Sequence, residues 1–442
     1  MATTLETKAL HDLAVHAAKW GTPIVSFDAM RQAFFRDAGA RYGDVAYLSR
    51  FADWRYQITT PNASTRYVYL NFSTRDGPVV IEIPRATGAG LFGSILDAWQ
   101  VPLVDVGPEG SDRGSGGKYL LLPPDHAGGV PAGHIAVAHS TFNGYALFRA
   151  ISDDTSQPAI DRALDLVKRL RVYPLARADA PPPTRTIDVA GKLFDAIMHY
   201  DETFFATLAK MVNEEPVHPR DADIVQSLAE LGIERGRRFE PDTELRAELE
   251  AAAHDAQAEL IRGEPQEGEP FWPSSAWRTP SSIGAKTGFT FVTDKGLEVD
   301  SRAASFFMGC APPKVLGKAS MYLTTFTDAH GRMLSGDGSY RLRLPANVPA
   351  KQFWALTVYD AETCAFIRNS PKVDVNSYEP GLVTNADGSV DLYLGHSAPA
   401  VGAANWAALT SGRAWCAMLR FYGPTPALFD KSWRAPDIER VG

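Results

Sequence analysis

YVYLNFSTRDGPVVIEIP, residues 67–84, decides the class of fold. Two runs of β-branched and aromatic residues flank Arg75-Asp76-Gly77-Pro78. Such residues suit a pleated, half-buried surface, and an Asp-Gly step between them reverses the chain, so the stretch is expected to be a β-hairpin. Side chains alternate along a strand, which puts Tyr67 and Tyr69 on one face. Toward the C-terminus, GLFGSILDAWQ, GKYLLLPP and GHIAVAHS extend the pattern as short strands between Gly- and Pro-rich loops. A mostly antiparallel β-unit over residues 51–150 is the simplest account.

On either side of this unit the hydrophobic period lengthens. Residues 1–50 are expected to be helical, in two pieces: ETKALHDLAVHAAKWG, stopped by its glycine, and FDAMRQAFFRDAGARYG. Residues 151–260 carry apolar side chains at three- and four-residue spacing in AIDRALDLVKRL, VAGKLFDAIMHYDETFFATLAKMVN and DADIVQSLAELGIERG. They form a helical segment that could act as a lid, with DAPPPT (179–184) as a stiff linker and a more exposed helix over 242–262. Residues 261–442 return to strands: KASMYLTTF, YRLRLP, QFWALTVYD, VDLYLGH and RAWCAMLRFYG. The predicted class is therefore α+β and β-rich, with two antiparallel sandwich or jelly-roll-like units joined by helices.

At 442 residues the chain exceeds what one core supports. Hydrophobic residues are 45% and charged residues 22%, the balance of a folded protein. A net charge of −8 argues against a nucleic-acid partner, which calls for a basic excess. Cys310, Cys364 and Cys416 are sparse, odd in number and unpaired by any CxxC, which fits a reducing compartment. The opening MATTLETKALHDLAVHAAKWG lacks an apolar core behind a basic patch, and no window nears the roughly eighteen apolar residues of a membrane span. Cytoplasmic localisation without membrane contact is the expectation.

No GxSxG, HExxH or strand-linked GxGxxG is present. GSDRGSGGKY (110–119) imitates a phosphate loop but has Asp112 where the first glycine belongs and Tyr119 where Ser or Thr belongs. His134 and His139, five apart, would point to opposite faces of one strand, so no metal and no cofactor are expected.

Several blocks together resemble a known family. TTPNASTRYVYLNF, GPVVIEIP, ILDAW and GGKYLLLPP, within residues 59–126, resemble domain of unknown function 1254, and residues 208–242 look like its continuation. YRLRLP, FWALTVYD, RNSP, TNADGSVDLYL, Asn405-Trp406, LRFYGP and the closing Trp433 segment resemble its companion, domain of unknown function 1214. The resemblance implies two β-sandwich or barrel units with a helical insert able to cover a cleft, and for activity it suggests hydrolysis of small polar or phosphorylated compounds. Leu91-Phe92 departs from that family's usual aromatic pair, which alters one expected pocket wall.

The candidate catalytic residues are Asp97, His396 and Asp360. A carboxylate in the otherwise apolar ILDAW would have its pKa raised by burial, which suits acid–base work; capping a turn is the structural alternative. Candidate binding residues are Asn62, Tyr67, Tyr69, Trp99, Lys118, Tyr119, Asn405, Trp406 and Arg420. The tyrosines would orient a substrate, Lys118 or Arg420 would hold an anionic group, and the tryptophans would stack on a ring. Charges inside apolar strands need partners, so an Asp360–Arg420 ion pair is the structural expectation for these two. The favoured function is a hydrolase or lyase of a small polar or anionic substrate in a cleft between the β-units. The rivals are a non-catalytic binder of a carbohydrate or aromatic metabolite, and an assembly protein using aromatic strands for homo-oligomerisation.

Overall fold

The turn at Arg75–Pro78 does not close a hairpin. It carries the chain from one sheet to another. The strands before and after it, Arg66–Ser73 and Val79–Ile83, pair with other partners and face each other across a core. The reason is apolar on both sides: Val68, Leu70 and Phe72 meet Val79, Ile81 and Ile83, so an arch buries both faces that a flat hairpin would leave on one side. The structure is a computed structural model describing residues 4–85, 87–152, 156–263, 268–280, 282–315, 320–400 and 402–442.

In the N-terminal half the strands are β1 (Val45–Tyr47), β2 (Arg66–Ser73), β3 (Val79–Ile83), β4 (Ala89–Asp97), β5 (Pro102–Val106), β6 (Gly117–Leu122), β7 (His134–Ala138), β8 (Asn143–Ser152), β9 (Arg171–Pro174) and β10 (Thr186–Asp188). They form a six-stranded sheet, β10-β1-β2-β8-β4-β5, packed on a four-stranded sheet, β9-β3-β6-β7. Most pairs are antiparallel, with parallel pairs β1–β10 and β6–β7 toward the edges. Because β9 and β10 return to these sheets, the β-unit reaches residue 188, and the stretch after 150 is not wholly helical as expected.

The C-terminal sandwich repeats the plan. Its strands are β11 (Ser320–Thr325), β12 (Tyr340–Leu344), β13 (Ala350–Asp360), β14 (Asp374–Asn376), β15 (Val390–Gly395), β16 (Trp406–Ala408), β17 (Trp415–Pro424) and β18 (Glu439–Arg440). The sheets are β11-β17-β13-β14 and β16-β15-β12-β18. Leu323, Leu356, Val358, Leu419 and Phe421 of the first pack on Leu342, Leu344, Leu392 and Leu394 of the second. Lys318 and Ala319, expected to begin β11, lie outside the described residues.

Helix α1 (Thr4–Arg36) runs unbroken through Gly21 and Pro23, where two helices were expected. A Cβ on Gly21 would come within 2.8 Å of Leu208, so the glycine marks close helix contact, not a stop. Burial on most sides from Ala14 to Phe34 outweighs the loss of one backbone bond at Pro23. Around α1 pack α3 (Phe204–Glu214), α4 (Thr243–Gly263) and α5 (Val299–Met308), while α2 (Gln157–Lys168) covers the first sandwich with Ala163, Leu166 and Val167. Trp20, Phe27 and Phe34 of α1 meet Trp99, Tyr145 and Tyr69 at centroid distances of 4.9, 5.8 and 5.7 Å. Each such burial is worth about 2–3 kcal/mol. The same central core includes Tyr359, Phe366 and Met418 from the C-terminal half, so the outer faces of two sheets and α1 share one interior.

Gly144 in β8 allows a close approach inside the first sandwich: an added Cβ would stand 2.4 Å from the Leu96 carbonyl oxygen and 2.3 Å from the Phe72 ring. Backbone cannot yield as a flexible side chain can. Gly144→Ala is expected to destabilise by about 3 kcal/mol; urea unfolding checks this, and a loss within error would contradict it.

Candidate functional site

Alternation puts one face of each inner sheet into its own sandwich and the other toward the opposite half. On β17, Leu419 and Phe421 point inward, which leaves Arg420 and Tyr422 outward; on β11, Leu323 points inward and Tyr322 outward. On β8 and β2, Phe148 and Val68 face their core, while Arg149 and Tyr67, paired across the ladder, face out. The two outward faces meet at a seam beside the loop Thr59–Asn62.

Arg420 is 2% exposed and is held by neutral acceptors only. Its Nη1 donates to Thr357 Oγ1 at 2.9 Å and to the Tyr359 hydroxyl, and its Nη2 to the Thr60 carbonyl at 2.8 Å. Nε has no partner. Tyr359 in turn donates to the Pro61 carbonyl at 2.6 Å, and the Thr60 N–H donates to the Cys364 carbonyl at 2.7 Å. Loop and C-terminal sheet are thereby tied together; Thr60 sits at φ 39°, a conformation that costs a β-branched residue energy and needs such ties.

Arg149 is half-buried between aromatic rings, its Cζ 5.6 Å from the Tyr67 centroid and 5.3 Å from that of Phe92. Among the described residues neither Arg149 nor Arg420 has a carboxylate in an ion pair. The charged neighbour on the same face is Asp374, whose carboxylate accepts from Asn376 Nδ2 at 3.2 Å and whose pKa is raised by burial. Two guanidinium groups near one another, with phenols for company, form an electropositive seam.

Four tyrosines line it, and the hydroxyls of all four are hydrogen-bonded. Tyr67 accepts the Asn62 N–H at 2.8 Å, Tyr359 is bound as above, and Tyr422 receives the Asn62 side-chain amide. Tyr322 is half-buried, with Arg420 Cζ 5.1 Å from its ring centroid. Burial alone would push its phenol up, but the fields of Arg149 and Arg420, together with hydrogen bonds to Ser320 and Tyr422, outweigh that and hold it below the usual tyrosine range, while Tyr422 is pushed well above, chiefly by burial.

Of the residues selected from sequence, Asn62, Tyr67 and Arg420 come together here. Tyr69 lies deeper, its hydroxyl donating to Asn71 at 3.2 Å under α1. Asp97 is 4% exposed and closes the turn after β4, accepting the Val101 N–H at 2.9 Å. Trp99 packs on Trp20 beneath the buried Arg302, away from the seam. Lys118 and Tyr119 belong to the far sheet of the first sandwich, Lys118 exposed opposite Glu82 and Tyr119 in the core. Asn405 pins a loop by bonds to Val383 and Asp391 of 2.8–2.9 Å, Trp406 donates to the Gly395 carbonyl at 3.0 Å, and His396 is exposed at the end of β15.

The expected Asp360–Arg420 pair does not form. Arg420 stands opposite Ala355 and Asp360 opposite Trp415, five ladder positions or about 17 Å apart and on opposite faces. Asp360 pairs with Arg413 instead. Arg149, Tyr322 and Tyr422 were missed, although the rule that selected Arg420, a charge inside an apolar strand, applies equally to Arg149 in NGYALFRAIS.

A separate surface hollow of about 310 Å³ opens beside α1. Its acids are already paired: Asp28 with Arg31 and Lys210, Asp37 with Arg36, and Asp195 with Arg368. It therefore presents no uncompensated charge of the kind found at the seam.

Burial pushes Asp97 up to about 7. A carboxyl that holds its proton more tightly folded than unfolded contributes stability that is full below pH 3.8 and is lost as pH rises to about 7. Asp97→Asn, which keeps the acceptor for Val101, is expected to flatten this slope and to be more stable than wild type above neutral pH. Melting curves across pH test it; parallel profiles for the two proteins would refute it.

The family model described as Protein of unknown function (DUF1254) matches residues 43–174, and that described as Protein of unknown function (DUF1214) matches residues 319–426. The first match ends before the helical stretch 208–242, so the expected continuation lies outside it. Among solved structures the chain is similar to the VPA0106 protein from Vibrio parahaemolyticus, at 16% identity over 98% of this chain and 100% of that one, with a TM-score of 0.57. An uncharacterized protein from Burkholderia cenocepacia aligns at 12% identity over 99% of this chain and 96% of that one, with a TM-score of 0.46. The first likeness supports the fold alone. A search of curated proteins finds no match.

Proposed function

We propose, for a chain that belongs to the family joining DUF1254 to DUF1214, that it binds a small anionic compound at the seam between its two sandwiches and acts on it there, as a hydrolase or lyase. One observation carries this reading: Arg149 and Arg420 face each other's field, and among the described residues neither is in an ion pair with a carboxylate. Like charges in a partly desolvated site are costly, and a bound carboxylate, phosphate or sulfate group would relieve that cost through charge-assisted hydrogen bonds. Segments named for the family resemblance in both halves, TTPN and LRFYGP among them, supply the lining.

Of the rival platforms for a sugar or aromatic ring, Trp99 is already packed against Trp20, which favours the anion reading over that one. No helix among the described residues is long and apolar enough to cross a membrane. Thermal melts in sulfate, phosphate and small carboxylates, against chloride at equal ionic strength, test the proposal. A ligand at one hundred times its Kd adds about 2.7 kcal/mol to the folded state. A saturable rise with the oxyanions is expected; equal curves in all salts would refute binding. Mass spectrometry of the stabilising compound after incubation then separates turnover from binding.

A further inference from the structure

Resting on the anion reading, we infer that the bound compound is an aryl acid, with its acid group between Arg149 and Arg420 and its ring against Phe92 and Tyr322. Burial falls off along both faces of the seam. On β8 it drops from Leu147 through the half-buried Arg149 to Ile151, which is 38% exposed. On the C-terminal sheet it drops from Arg420 through Tyr422 to the half-buried Phe353. The Phe353 ring stacks on that of Tyr422 at 4.1 Å and lies 5.2 Å from the exposed Tyr378. The rim is therefore apolar and rich in rings, and the two cations lie behind it. Such a site fits a molecule that is anionic at one end and apolar at the other.

The polar groups of the seam argue against a hydroxyl-rich body. The Asn62 side chain donates to Tyr422 and accepts from Ser64, Thr357 accepts from Arg420, and the Tyr322 hydroxyl is bonded to Ser320 and Tyr422. The donors left for a ligand belong to the guanidinium groups: Arg420 Nε has no partner, and Arg149 makes no hydrogen bond among the described residues. A carboxylate, phosphate or sulfonate takes these donors, whereas hydroxyls farther along the molecule would lose water and gain no partner. Phe92 sets this choice. It stands opposite Arg149 across β4 and β8, is half-buried, and holds its ring centroid 5.3 Å from the guanidinium carbon. Tyr322 answers from the other sandwich, its centroid 5.1 Å from the Arg420 guanidinium carbon. A ring attached to the acid group thus meets one aromatic side chain from each half, in offset or edge contact.

The experiment compares benzoate, acetate, gluconate and benzyl alcohol by thermal melts of the full-length protein at equal ionic strength, with Kd taken from the concentration dependence. Benzoate is expected to bind about 10- to 100-fold more tightly than acetate, from burial of its ring. Gluconate should bind no more tightly than acetate, and benzyl alcohol, a ring without the charge, should give no saturable rise. In Phe92→Ala the ratio of acetate to benzoate Kd should fall to within about threefold of one, and in Phe92→Tyr, which keeps the ring, it should persist. Equal affinities for benzoate and acetate, or tighter binding of gluconate, overturn the aryl assignment and leave the anion site standing. A saturable rise with benzyl alcohol places the ring away from the arginines and overturns it too. A ratio unchanged in Phe92→Ala removes Phe92 from the site. If neither benzoate, acetate nor sulfate stabilises the protein, the anion reading falls with it. Should Phe92→Ala not fold, Phe92→Leu, which keeps apolar volume without a ring, takes its place with the same expected fall.

Discussion

Arg149→Met is expected to weaken sulfate binding by about 10- to 100-fold while leaving the sulfate-free protein at least as stable as wild type. The binding loss follows from removing one charge-assisted hydrogen bond, worth about 1.5–3 kcal/mol. The unchanged stability follows from what Arg149 lacks. Its guanidinium lies between the Tyr67 and Phe92 rings, and among the described residues it has no hydrogen bond or ion pair that unfolding would forfeit. Methionine keeps much of the packing against both rings and removes repulsion from Arg420. Loss of affinity and loss of stability are thus separable at this position, the signature of a residue placed for a ligand. Paired melts with and without sulfate measure both. A full sulfate response in the variant would sink the site, and a large loss of stability would recast Arg149 as structural.

Arg420→Met should differ in kind. It is expected to lose sulfate binding and also about 3 kcal/mol or more of stability. Here the guanidinium satisfies the Thr60 carbonyl, the Thr357 hydroxyl and the Tyr359 hydroxyl, groups buried where water cannot replace it. It also tethers the Thr59–Asn62 loop of the first half to the sheet of the second, so its loss should loosen contact between the sandwiches. Arg420→Lys should recover little, because one ammonium cannot span acceptors set around a planar fork. Chemical unfolding reads the stability term; a variant as stable as wild type would show that the loop is held by Tyr359 and the central core alone.

Arg420 was legible from sequence because a charge in LRFYG must find partners, but its partners were not. The expected carboxylate, Asp360, lies on the same pair of strands yet faces the other way, and only the register between β13 and β17 reveals that Arg413 takes it. Asp97 was chosen because burial would raise its pKa. Burial does so, but the carboxylate closes a turn instead of opening onto the seam. A raised pKa marks desolvation, and desolvation is common to turns and sites alike.

What the chain alone determined is the local alternation: YVYLNFS and AMLRFYG each divide into an apolar face and a face of tyrosine and arginine, because a strand's geometry has a period of two whatever it pairs with. Which strands pair was decided only by the folded whole. The Asp-Gly turn reads as a hairpin locally, yet two equally apolar faces gain more by closing over each other than by lying side by side, so the chain arches there instead. The same global demand, that α1 and the outer faces of two sheets share one interior, set the tyrosine–arginine faces against one another and so made the seam.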